Sequence, residues 1–110
     1  MNESLATLQD TLARQHKKLR DAIPTAPDAA ARQALLTEMS ELTHRVQIVG
    51  SLLFRAQTQA LTDKIAEVNK ATKKVNAAIK QIQALKGFLD AVSGFLTLVD
   101  EAIDIAKKVL

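Results

Sequence analysis

Six lysines stand between residues 64 and 86, at Lys64, Lys70, Lys73, Lys74, Lys80 and Lys86, against the single acid Glu67. Ammonium groups at that density attract phosphate or carboxylate partners. On a helix, Lys70, Lys73, Lys74 and Lys80 fall within an arc of about 120°, so they form one candidate surface for an anionic partner. No arginine or aromatic is interleaved with them. Bidentate phosphate forks and base-stacking platforms are therefore missing, which argues against nucleic acid. A solvated outer face accounts for the same lysines. The second basic cluster, "RQHKKLR" from Arg14 to Arg20, sits where a first helix would end, and a helix C-terminus favours cations.

Other chemistry is thinner. His16 and His44 are the two histidines, and they fall on different helices of the pattern described below. Glu41 lies three residues before His44, which is close enough for two ligands but not for a tetrahedral set. No cysteine is present, which excludes disulfides, thiolate metal sites and a thiol nucleophile. "VGSLL" at 49–53 and "VSGFL" at 92–96 are small-residue packing spots, not nucleophile elbows or phosphate loops. No catalytic residue, cofactor or metal site is expected, and the chain reads as a non-enzyme.

The elements that must carry these residues are helical. Three Gly and two Pro in 110 residues leave few places for turns. Three Phe and no Trp or Tyr mean a core of aliphatic side chains. The net charge of +3 is too mild to specify a partner. Both prolines lie in "AIPTAPDAAARQ", residues 22–33, and bias the chain away from helix there.

Before that break, Leu5, Leu8, Leu12, Leu19 and Ile23 keep helical spacing, with Gln15 or His16 filling the gap. This predicts a helix over about 3–22, capped by Asn2 or Ser4, and a proline-containing turn at 23–27. Thr25 or Asp28 can cap a second helix over about 28–58. In it Leu35, Met39, Leu42, Val46, Val49 and Leu53 alternate by four and three, the pattern of a coiled-coil seam. Glu41 and Arg45 form a favourable pair one turn apart.

From Phe54 on, one register runs to the end. Phe54, Leu61, Val68, Val75, Ile82, Leu89, Leu96, Ile103 and Leu110 recur every seven residues. A strict seven-residue repeat predicts left-handed coiling around neighbours. The preferred expectation is an all-α, elongated, antiparallel bundle or coiled coil of three helices forming one domain over 1–110. Its last helix would run over about 61–110, roughly 75 Å long at 1.5 Å per residue. The companion apolar positions change near Gly87, so the alternative is a compact four-helix bundle with a turn there. The junction "TQALTD" at 58–63 offers weak stop signals, and the second helix could run on into the third. Gly87 and Gly94, seven apart, suggest a close helix contact or a hinge.

The C-terminal "LKGFLDAVSGFLTLVDEAIDIAKKVL" is the most apolar stretch. Its longest uncharged run, "AVSGFLTLV", is too short to cross a bilayer. Its apolar arc of about 140° is wider than a two-stranded seam, so it needs two neighbours or a flat apolar surface. Residues 87–104 hold four acids and no base, the wrong charge for an anionic lipid surface. Packing against protein is the better reading. A basic segment followed by an acidic one also suits antiparallel pairing, which would set register.

The functional expectation is therefore a protein–protein interaction module that self-associates or binds a protein partner through Leu85, Phe88, Leu89, Val92, Phe95, Leu96, Val99 and Ile103. The second reading is an amphipathic membrane-surface or pore-forming helical protein. The third is a nucleic-acid-associated accessory. With no basic leader in "MNESLATLQD" and no span, a cytoplasmic location is expected.

Overall fold

A computed structural model of the chain describes residues 2–108. Four helices follow in order: α1 (Glu3–Ala22), α2 (Ala29–Ser51), α3 (Gln59–Lys80) and α4 (Leu85–Lys108), with a 3-10 turn at Ile23–Thr25. The architecture is an all-α helical bundle. Its principal extents are 46 × 20 × 16 Å.

Each of the first three helices starts on a side chain that accepts an otherwise orphaned N–H. Asn2 Oδ1 accepts from Leu5 N at 3.0 Å. Asp28 Oδ1 accepts from Ala31 N at 2.8 Å. Thr58 Oγ1 accepts from Leu61 N at 3.2 Å. Of the paired candidates, Asn2 and Asp28 are the caps. Ser4 is inside α1, and Thr25 Oγ1 donates to Ala22 O at 2.7 Å. Pro24 and Pro27 both fall in the connection, before the Asp28 cap.

Two antiparallel hairpins, α1–α2 and α3–α4, hold most of the packing; α1 lies beside α3 and α2 beside α4. Two cross-links define the first of these pairings. Ser4 Oγ is 3.1 Å from Thr62 Oγ1, and Thr11 Oγ1 donates to Asn69 Oδ1 at 2.8 Å. Both join residues 58 positions apart, so α1 and α3 run parallel and in register. One end of the bundle therefore gathers the start of α1, the 52–58 connection and the end of α4. The other end gathers the proline turn and the 81–84 turn.

The single helix expected over 61–110 is not formed. The chain reverses at Gln81–Ala84, and the four-helix alternative is the one adopted. The turn lies before Gly87, which is helical. Gln81 leaves helical geometry at φ −118°, ψ 43°, and Ala84 O accepts from Phe88 N at 3.2 Å as α4 begins. Neither Gly nor Pro marks the place. The reversal lets α4 bury its apolar arc on α3, which a straight rod could not do within one chain.

The reversal also shifts the phase of the seam. Leu61, Val68, Val75 and Ile82 are buried, as the seven-residue repeat requires. In α4 the buried set is Phe88, Val92, Phe95, Val99, Ala102, Ile103 and Ala106, while Leu89 is 47% exposed. The unbroken repeat through Leu89 and Leu96 is thus a coincidence of spacing. Likewise α2 stops at Ser51, not near 58, and Phe54 leaves the seam altogether, at 93% exposed. Leu110 lies outside the described residues. Gly87 and Gly94 meet nothing where a Cβ would stand, so neither marks a close helix contact.

The two phases of α4 are separable by mutation. Phe95→Ala should cost about 3–5 kcal/mol in urea denaturation, because it empties a filled core position. Leu89→Ala should cost less than about 1 kcal/mol.

Candidate functional site

The eight residues expected to form an interface do not form one open surface. Phe88, Val92, Phe95, Val99 and Ile103 are buried within the chain's own core; Leu85 and Leu96 are partly buried against it, and Leu89 is half-exposed. The reason is the reversal at 81–84. The width of the arc did require two neighbours, and α4 finds them in α3 and α2.

The lysine surface is present on the outer side of α3. Lys70, Lys73, Lys74 and Lys80 are all exposed, and none enters a salt bridge among the described residues. The antiparallel charge pairing occurs inside the chain. Lys64 Nζ lies 2.9 Å from Glu67 and 3.7 Å from Glu101 of α4. Those acids, the hydrogen bond to Glu67 first, hold the Lys64 ammonium above its ordinary range. His16 is half-buried and His44 exposed. Among the described residues no three His, Cys, Asp or Glu side chains converge as a metal site, and no helix is long and apolar enough to cross a membrane.

Between α2 and α4 sits a charged network. Arg45 Nε and Nη2 donate to the two Asp100 carboxylate oxygens at 2.8 and 3.0 Å. Its Nη1 donates to Glu41 Oε2 at 2.8 Å and to Glu41 O at 3.1 Å. The Glu41–Arg45 pair read from spacing is therefore one arm of an interhelical fork. One turn before it, Glu38 is 5% exposed and its Oε1 has no hydrogen-bond partner. Burial pushes its carboxyl up to about 7, against a partial downward pull from Arg45, with Glu41 adding a further upward push.

The most distinctive surface is the 52–58 connection. Phe54 stands 93% exposed there, yet the backbone around it is held from both sides. Asn2 N donates to Leu53 O at 2.7 Å, and Asn2 Nδ2 donates to Arg55 O at 3.1 Å and to Ala56 O at 3.3 Å. Ser4 N donates to Gln57 Oε1 at 3.1 Å, and Arg55 N donates to Leu52 O at 2.9 Å. Leu52 is buried beneath. On this clasped loop the Phe54 ring is far more open than Leu36 and Leu89, which are 44% and 47% exposed. Phe54 falls at a seven-residue interval from Leu61, so spacing alone places it in the seam. The signal available was the Thr58 cap, which requires a break just before it.

Comparisons with protein-family models, curated proteins and solved structures found no match.

Glu38 gives a measurable pH dependence. The folded state keeps its proton to about pH 7, whereas the ordinary value is 4.5. Between those values the native state binds more protons than the unfolded chain, so this contribution to stability falls as pH rises from 4.5 to 7 and then levels. The span is on the order of 3 kcal/mol at most. Glu38→Gln should remove that slope and melt above the wild type at pH 8, with little difference at pH 4.5, in thermal scans across the range.

Proposed function

We propose that this chain is a non-enzymatic protein-binding module whose contact point is the Phe54 end of the bundle. The exposure of Phe54 on a clasped loop carries the reading. Moving a Phe ring from water into an apolar cleft contributes roughly 2–3 kcal/mol. Aromatic anchors of this kind dominate interfaces when a pocket receives them. Because the loop is already ordered by Asn2 and Ser4, little entropy is lost on docking. Lys107 and Lys108 end α4 at the same end of the bundle, so a partner with acidic groups around its cleft is complementary. In this proposal the interface is the loop end and not the α4 seam, because most of the seam is internal.

The partner is either another protein or a second copy of the chain, and light scattering distinguishes them. A mass of twice 12.0 kDa that falls to the single value in Phe54→Ala identifies self-association. A single mass in both proteins directs attention to what co-purifies. The membrane reading has less support from α4, because most of its apolar arc packs against the chain's own helices. The lysine face of α3 supports nucleic acid no further than an ordinary solvated helix does.

Phe54→Ala should leave the melting temperature within a few degrees of wild type, since the ring contributes little to the fold. It should abolish association, whether read as mass or as partner retained on a column. Asn2→Ala should weaken association less, through loss of loop order, and should also cost about 1 kcal/mol or more of stability. Leu36→Ala should change neither. Full association by Phe54→Ala would overturn the proposal.

A further inference from the structure

The register between α1 and α3 leads to a second site. Ser4 meets Thr62 and Thr11 meets Asn69, each 58 positions apart. The next steps of the same register set Lys18 opposite Asn76 and Thr25 opposite Gln83. There the ladder opens, and these four residues border a cavity of about 540 Å³ at the end of the bundle remote from Phe54. That size is typical of small-molecule sites.

The lining is of three kinds. Ala22, Ile79 and Ile82 give an apolar wall. Lys18 and Lys80 stand exposed at the rim, with Asp21 the one acid, 3.9 Å from Arg20 Nε. Asn76 and Gln83 supply carboxamides, and Thr25 a hydroxyl.

A narrower cavity of about 230 Å³ continues along the α1/α3 groove and shares Lys18 and Asn76 with the first. Two buried acceptors lie on its lining residues with no hydrogen-bond partner. They are Oδ1 of Asn76 and Oε1 of Gln15, whose residue is 4% exposed. Buried carbonyl oxygens without donors are uncommon and costly. Asn76 borders both spaces, and its buried oxygen reaches a donor in the larger one only when the side chain turns toward it.

We propose that this cavity binds a small amphipathic carboxylate that carries an N–H beside its carboxylate, the chemistry of an N-acyl amino acid. The hydrocarbon chain lies on Ala22, Ile79 and Ile82. The carboxylate meets the ammonium groups of Lys18 and Lys80. The amide N–H donates to Asn76 Oδ1, the acceptor that the protein leaves unanswered. The site is independent of the Phe54 surface, which lies at the opposite end.

The test is a titration of the full chain by amide-resolved NMR with N-octanoylglycine, octanoate and octyltrimethylammonium as probes. N-octanoylglycine should saturate with Kd below about 1 mM, moving signals at Lys18, Asn76, Ile79 and Ile82. Octanoate, which lacks the N–H, should bind the same residues about three- to tenfold more weakly. The cationic probe should not bind there. Lys18→Glu with Lys80→Glu, both on exposed positions, should weaken N-octanoylglycine at least tenfold. Asn76→Ala should bring N-octanoylglycine to the level of octanoate and leave octanoate unchanged. No saturable shift at these residues, equal binding of the cationic probe, or an Asn76→Ala variant that treats both carboxylates as before would overturn the assignment.

Discussion

The apolar arc of α4 is too wide to leave in water, and the chain resolves this by reversing at Gln81–Ala84. Burial of Phe88, Val92, Phe95, Val99, Ala102, Ile103 and Ala106 against its own helices is the constraint from which the other features follow. Apolar burial has no preferred direction, so it drives the fold back without specifying where the turn falls. It also consumes the surface that a rod would have offered to a partner. Among the described residues, two surface features then stand apart, a clasped aromatic at one end and a mixed cavity at the other.

Direction comes from polar groups between the hairpins. The hydroxyl and carboxamide pairs Ser4–Thr62 and Thr11–Asn69 hold α1 and α3 parallel at a fixed offset. The bidentate Arg45–Asp100 contact does the same for α2 and α4. Such bonds add modestly to stability, about 1 kcal/mol each, but a slip of one residue would strand them. The Glu38 carboxyl works the other way. It lies buried with one carboxylate oxygen unpartnered, so its titration makes the packing of α2 pH-dependent.

Local signals account well for the first half of the chain. The 3.6-residue spacing of Leu5, Leu8, Leu12 and Leu19 and the two prolines place α1 and its end, and Asn2 and Asp28 are among the residue types that cap helices. Leu35, Leu42 and Val49 are buried as their spacing requires. The second half was less legible. Gln81–Ala84 contains no Gly, Pro, Asn or Ser, so only tertiary burial ends α3 there, and a repeat of seven ran through it by chance. The Leu52–Gln57 connection hid behind Phe54, whose position fits a heptad it does not join. The lysine face of α3 was legible as a surface. The α1/α3 groove was written at seven-residue spacing in Ser4, Thr11, Lys18 and Thr25 and in Thr62, Asn69, Asn76 and Gln83. Polar heptads read as solvated faces until the partner helix is known.

The reversal itself is directly measurable. The chain has no native cysteine, so Asp63→Cys with Asp104→Cys places two spin labels uniquely, both on exposed positions. In dilute solution the distance between them by pulsed electron resonance should be under about 25 Å, since packed helices lie 8–10 Å apart and the label arms add the rest. A distance near 60 Å, the length of about 41 residues of uninterrupted helix, would contradict the account.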